Sequence, residues 1–256
     1  MKILQKPKKS LGQNFLIDQN IINKIKKIIE SKKNKNLIEI GGGYGNLTAE
    51  ISKLELENLY VIEKDEKLSY ILKDKFKNHK NVHIINDDFL NLIKKNKFKK
   101  KITIVGNLPY NISTKILSSL ILLEEWPPWY ESLVFMFQKE VADRIIASNK
   151  KKDLGRLSVL TNWRLEVNKH FDISKNCFFP KPKVDSTLLS FSLRKNNFYY
   201  LKNPKNLETV TRVLFSNRRK MINKSFKKLF KKLLLMFKIR LMASCNFFTP
   251  IYRQAN

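Results

Sequence analysis

Between residues 37 and 138 the chain repeats one pattern. A short, continuous apolar run is followed by a stretch of helix length. The runs are LIEI (37–40), LYVIE (59–63), VHIIN (82–86), ITIVG (102–106) and LVFMFQ (133–138). Residues that stay apolar on successive positions suit strands covered on both faces, as in a parallel sheet. The segments IINKIKKIIE (21–30) and EKLSYILKDKF (66–76) instead space their apolar residues at helical intervals. Strands alternating with helices predict a doubly wound α/β domain.

The pattern changes further on. WRLEVNKHF (163–171) and STLLSFSLR (186–194) alternate apolar and polar residues, as half-buried antiparallel strands do, and they flank the proline-rich FFPKPKVD. Beyond Lys195 the strand signal ends. From Lys195 to Asn256 there are 15 Lys/Arg and one acid, Glu208, with helical spacing in LETVTRVLF and NKSFKKLFKKLLLMF. We therefore divide the chain into a catalytic-type α/β domain, 1–195, and a small basic helical domain, 196–256.

With 43% hydrophobic residues the chain has material for a folded core. No apolar run reaches the roughly 18 residues of a membrane span. MKILQKPKKS has no signal-peptide core, so the expected location is the cytoplasm. Cys177, Cys245, His79, His83 and His170 show no metal-ligand spacing, and no metal is expected. The net charge of +29 points to a polyanionic partner, RNA or DNA. Runs such as KKNKFKKK (94–101) fit solvated loops enriched in lysine by an AT-rich composition. That drift does not supply arginines, which singles out Arg218, Arg219 and Lys220 just after Phe215.

The first strand runs into EIGGGYGNLT (39–48). Gly41, Gly43 and Gly45 allow a sharp turn and close approach of backbone to a ligand. In open α/β sheets that position, at a strand's carboxyl end, is where nucleotide-like ligands bind. The spacing is G-x-G-x-G without a Walker lysine, which disfavours a phosphate cradle. Glu63 closes the second strand and suits a ribose diol. Asp88, in NDDFL, follows the third strand and suits an adenine amine, with a helix N-cap as its alternative role. Together these residues fit S-adenosylmethionine.

After the fourth strand comes NLPY (107–110). Pro109 lacks an amide donor and holds Leu108 extended, so carbonyls there can face outward. Asn107 adds a side-chain oxygen, and Tyr110 a flat face for stacking a base. The amine of a nucleobase is a poor nucleophile because its lone pair is delocalised into the ring. Acceptors that hold its hydrogens localise that pair on nitrogen, and alignment beside an electrophilic methyl can then supply catalysis. The target base must be single-stranded or flipped out.

These motifs, in this order, resemble the small-subunit rRNA adenine dimethyltransferases over nearly the whole length. KSLGQNFL (9–16) is similar to the family's N-terminal signature, which places Asn14 and Leu16 at the cofactor. EIGGGYGNLT is similar to the cofactor loop, with Gly42 where the family often has proline. VIEKD (61–65), NLPYNIST (107–114), QKEVADRI (138–145), GRLSV (155–159), FFPKPKVDS (178–186) and FSNRRK (215–220) also match.

The resemblance implies a Rossmann-like S-adenosylmethionine-dependent methyltransferase domain with a C-terminal helical domain facing rRNA through Arg218, Arg219 and Lys220. It implies Asn107, Leu108, Pro109 and Tyr110 as the target-amine motif, with Phe178 sandwiching the base against Tyr110. It implies dimethylation of two adjacent adenosines in a hairpin loop near the 3′ end of small-subunit (16S) rRNA, by a monomer acting on the assembling subunit. After about Lys228 the match decays, which bears on ribosome docking. Two competitors are a large-subunit rRNA adenine methyltransferase and a non-catalytic nucleic-acid-binding or assembly factor of the same fold. The first usually carries Ile before the proline, and the second need not keep the glycine loop, Glu63 and NLPY.

Overall fold

A computed structural model of the chain describes residues 7–8, 11–95, 101–147, 154–195, 201–215, 227 and 230–231. The chain divides into two units, Met1–Lys202 and Asn203–Asn256. The first opens with a two-residue strand, β1 (Phe15–Leu16), and helix α1 (Gln19–Glu30). Asp18 caps α1 by accepting from the Ile21 N–H at 3.0 Å, and Ile22, Ile25 and Ile29 form its buried face. Strand and helix then alternate through β2 (Asn36–Ile40), α2 (Asn46–Ile51), β3 (Asn58–Glu63), α3 (Glu66–Lys75), β4 (Val82–Asn86), α4 (Phe89–Lys95), β5 (Ile102–Gly106) and α5 (Ser113–Ile121). The series ends with β6 (Tyr130–Gln138), α6 (Lys139–Ile146), α7 (Arg156–Arg164), β7 (Leu165–Ile173), β8 (Phe178–Phe179) and β9 (Ser186–Leu193). Of the second unit, α8 (Pro204–Phe215) is described. No helix among the described residues is long and apolar enough to cross a membrane.

The main sheet has the order β4-β3-β2-β5-β6-β9-β7. The first five strands are parallel, and β9 pairs antiparallel with both β6 and β7. The apolar runs at β2 and β5 are buried along their whole length, as expected of strands covered on both faces. Strand order reverses between β2 and β5, which makes the carboxyl ends of these two strands the switch point where such sheets open a crevice.

Two antiparallel segments differ from the sequence expectation. Trp163 and Arg164 close helix α7 rather than beginning a strand. β9 is buried along most of its length, not half-buried, because it lies between β6 and β7. Its hydroxyls have partners there: Thr187 Oγ1 donates to Asp172 Oδ1 at 2.7 Å, and Ser190 Oγ lies 2.9 Å from His170 Nε2. β7, at the sheet edge, keeps the exposed residues the alternation predicts.

The small β1–β8 sheet joins distant parts of the chain. Phe15 stands opposite Phe179, and Leu16 opposite Phe178. It holds the N-terminal segment across the carboxyl end of the main sheet.

Candidate active site

The cleft at the switch point is lined by the N-terminal segment, the glycine loop, and the turns after β3, β4 and β5. Gly41, Gly43 and Gly45 have φ values of 77°, 57° and 74°, the left-handed region that glycine takes without strain. At Gly42 the constraint is space instead. A Cβ there would lie 2.4 Å from Val61 Cγ1 and 3.0 Å from Leu72 Cδ1, so β3 and α3 leave no room for a side chain. From α3, Lys75 Nζ donates to the Tyr44 and Gly45 carbonyls at 2.9 and 3.2 Å, which fastens the loop's outer turn.

Glu63, at the end of β3, lies in the cleft wall. Its two carboxylate oxygens accept from the Gly43 N–H at 3.0 Å and the Asp65 N–H at 2.9 Å. Burial raises its pKa, and those backbone donors offset part of the rise. Each oxygen retains a lone pair for a ligand hydroxyl. Beneath the loop, Glu39 accepts from Thr48 Oγ1 at 2.6 Å. Burial pushes its carboxyl from 4.5 up to about 8.

At the end of β4, Asp88 does the work of a helix cap: its Oδ1 accepts from the Leu90 N–H at 2.9 Å, at the start of α4. Its Oδ2 pairs with Lys64 Nζ at 3.0 Å. Desolvation raises its pKa, but the Lys64 and Leu90 donors outweigh that and hold it below the ordinary value. Asp87 also lines the cleft and accepts from the Asp88 N–H at 2.7 Å.

Across the cleft, Asn107 Nδ2 donates to the Asn14 carbonyl at 2.6 Å. A carbonyl only accepts, so the NH₂ end of the amide must face Asn14, and Oδ1 is the acceptor left for a ligand. Leu108 and Pro109 also line the cleft. Tyr110 does not. Its ring is half-buried beside the cleft, and its Oη lies 2.6 Å from Ser186 Oγ. Burial raises the phenol's pKa, so it stays protonated.

The structure thus brings Asn14, Leu16, Gly41, Gly43, Glu63, Asp88, Asn107, Leu108 and Pro109 to one cleft. Gly45 stands just behind it as the N-cap of α2. Phe178 is 3% exposed and packs in a hydrophobic core cluster with Leu16, Ile173 and Leu188, whereas its neighbour Phe179 is 39% exposed. Arg218, Arg219 and Lys220 lie outside the described residues. Sequence reasoning missed Glu39, Lys64, Lys75 and the pair Gln13–Asp65. All but Lys75 sit inside or beside the quoted motifs, which was the available signal.

Residues 4–241 match the ribosomal RNA adenine dimethylase family. The chain is 51% identical over 225 residues to the ribosomal RNA small subunit methyltransferase A of Pelagibacter ubique (strain HTCC1062), covering 88% of this chain and 84% of that one. It is 40% identical over 231 residues to the protein of the same name from Wolbachia sp. subsp. Drosophila simulans (strain wRi), covering 88% and 81%. Among solved structures, a dimethyladenosine transferase from Plasmodium falciparum superposes with a TM-score of 0.70 at 26% identity, covering 94% of this chain and 84% of that one. The 23S rRNA methyltransferase ErmE superposes with a TM-score of 0.63 at 25% identity, covering 84% of each.

Proposed function

The chain belongs to the ribosomal RNA adenine dimethylase family, and from that premise we propose that it dimethylates two adjacent adenosines in the 3′-terminal hairpin loop of small-subunit rRNA. It is an S-adenosylmethionine-dependent rRNA adenine methyltransferase with a Rossmann-like fold. The relatives at 51% and 40% identity carry a small-subunit name, against 25% for the large-subunit enzyme of similar fold. That difference favours small-subunit rRNA as the substrate; the assembling subunit as its setting and a monomeric enzyme are further parts of the proposal.

The cleft fits the cofactor. The positive-φ glycines bring bare backbone to its floor, and Glu63 offers paired oxygens at the strand end. In this reading Glu63 holds the ribose hydroxyls, Asp88 the adenine amine, and Asn14 and Leu16 close the cleft from the N-terminal side. Gly41 and Gly43 line the opposite wall, with Gly45 turning the chain into α2. When bound, S-adenosylmethionine supplies a methyl group on a sulfonium, an electrophile that needs no covalent enzyme intermediate.

The observation that carries the reading is the orientation of Asn107. Its Nδ2 is committed to Asn14, so Oδ1 accepts from the target amine. The Leu108 carbonyl accepts the second hydrogen: Pro109 holds Leu108 extended, and the N–H groups of Ile112 and Ser113 turn to the Pro109 carbonyl. Drawing both hydrogens away from the ring plane localises the lone pair on nitrogen. Tyr110 stacks on one face of the base. Phe178 is assigned the other, and a base reaches it only by uncovering a ring that is 3% exposed. The basic unit containing Arg218, Arg219 and Lys220 contacts rRNA phosphates.

The test is methyl incorporation from labelled S-adenosylmethionine into under-methylated small ribosomal subunits, with modified bases identified by mass spectrometry. The expected product is dimethyladenosine at two adjacent positions. Label at bases other than two adjacent adenosines, stronger labelling of large subunits offered in parallel, or no label with cofactor bound overturns the reading.

A further inference from the structure

The N-terminal segment is tied to both ends of the cleft. Asp65, 2% exposed, caps α3 through Oδ1, which accepts from the Lys67 N–H at 3.1 Å. Its Oδ2 faces the N-terminal segment, where Gln13 Nε2 donates at 3.1 Å and Lys8 Nζ pairs at 2.8 Å. Gln13 is itself fixed at its other end, since Oε1 accepts from the Lys8 N–H at 2.7 Å. The next residue is Asn14, whose carbonyl takes the Asn107 amide at 2.6 Å. Gly12, with φ 63°, lies so close to the NLPY turn that a Cβ would stand 3.0 Å from Asn111 Oδ1 and 3.5 Å from Pro109 Cβ. Asp65 also reaches the cofactor side, through its N–H on Glu63 Oε1.

We propose that Gln13 and Asp65 are positioning residues that set the Asn107 amide through the backbone of Asn14. The proposal rests on the reading of Asn107 Oδ1 as acceptor of the target amine. The physical argument is one of rigidity. The Asn14 carbonyl fixes the rotation of the Asn107 side chain only while residues 12–14 are held. Those residues form no strand: the β1–β8 pairing holds the chain from Phe15 onward, and on the near side Gln13 is held by the Asp65 carboxylate at the start of α3. Hydrogen bonds from Lys8 and Gln13 hold that carboxylate ionised against its burial. Loss of the anchor frees Asn14 to shift, and a misplacement of about 1 Å at a reacting group can cost on the order of a hundredfold in rate.

The experiment is a double-mutant cycle between Gln13→Leu and Asn107→Ala. Single-turnover methylation of under-methylated small subunits is measured at saturating cofactor, with cofactor affinity by calorimetry and thermal unfolding alongside. Gln13→Leu is expected to lower the methylation rate about tenfold at saturation, within the range for misplaced catalytic groups, with the KM for subunits unchanged. In the Asn107→Ala background the same change is expected to add no further loss. Lys8→Met, at the exposed end of the latch, is expected to act in the same direction more weakly, and it serves if Gln13→Leu does not fold. Equal losses in both backgrounds overturn the positioning role and leave the function reading intact. A full rate for Asn107→Ala alone overturns the function reading, and this proposal with it.

Discussion

The hydroxyls of Tyr110 and Ser186 lie 2.6 Å apart, although the residues are 76 positions apart in the chain. Ser186 is fully buried at the start of β9, so the contact anchors the one aromatic ring of the NLPY motif to the main sheet. If this ring stacks on a flipped base, as proposed, a fixed plane helps, because the ordering cost is met before the substrate arrives. Ser186→Ala should lower kcat about three- to tenfold, consistent with a lost hydrogen bond of about 1 kcal/mol, and leave cofactor affinity unchanged. Tyr110→Phe keeps the ring and loses the same contact, so it should match Ser186→Ala, and the double variant should be no worse. Steady-state methylation of small subunits with calorimetry of cofactor binding checks both.

Phe178 and Phe179 are adjacent and alternate across a strand, yet they carry opposite burdens. Phe178 is in the core at 3% exposure and Phe179 is 39% exposed. Phe178→Ala should cost about 3–5 kcal/mol of stability in urea unfolding, the usual range for a truncated core aromatic. Phe179→Ala should stay within about 1 kcal/mol. Phe178→Leu separates packing from stacking. It should fold within about 1.5 kcal/mol of the parent while methylation falls. Undiminished methylation by Phe178→Leu would remove the ring from the base-binding role.

The parallel half of the sheet was legible because a strand covered on both faces has no polar positions to break its run, as LIEI and ITIVG show. β9 was misjudged because Ser186, Thr187 and Ser190 look like solvent-facing residues. A hydroxyl with a hydrogen-bond partner is as buriable as an apolar group of its size, and these three find partners on Tyr110, Asp172 and His170. The glycine loop, Glu63, Asp88 and NLPY were legible because each follows the end of a strand, a position that the alternating pattern already fixes. The Gln13–Asp65 contact was not, since it joins residues 52 apart through a turn that no local pattern specifies. Phe178 shows the converse: a residue-by-residue resemblance names it but says nothing of its burial.

Gly42 is the place where this chain departs from the family's frequent proline, and its surroundings account for the glycine. Val61 Cγ1 would be 2.4 Å from a Cβ and Leu72 Cδ1 3.0 Å. Gly42→Ala should therefore overpack the junction of loop, β3 and α3, costing about 1–3 kcal/mol and weakening cofactor binding. Combining it with Val61→Ala removes the nearest atom and should restore much of both. Thermal unfolding and calorimetry of the two variants decide it. If the second change deepens the loss additively, the clash is not the cause.

Glu39 gives the fold a pH dependence of definite sign. Its carboxyl titrates near 8 in the folded protein, against an ordinary value of 4.5, chiefly because burial disfavours the charge. Thr48 and Lys75 lower it, while Glu63 raises it. Between those two values the folded chain holds a proton that the unfolded chain has lost. Unfolding then releases a proton, and stability from this group falls as pH rises from 4.5 towards 8. Above that range both states are ionised and the slope from Glu39 vanishes. Glu39→Gln keeps an oxygen for the Thr48 hydroxyl and removes the titration, so its stability relative to the parent should climb through the window and then level off. Other shifted carboxyls, Glu50, Asp65, Asp88 and Asp172, are common to both proteins and cancel to first order in the comparison, whereas Glu63, which interacts with Glu39, does not. Paired urea titrations across the range measure it. A difference between parent and Glu39→Gln that stays flat with pH would mean that Glu39 is ionised in the fold throughout, with its charge compensated more fully than the nearby Lys75 charge accounts for.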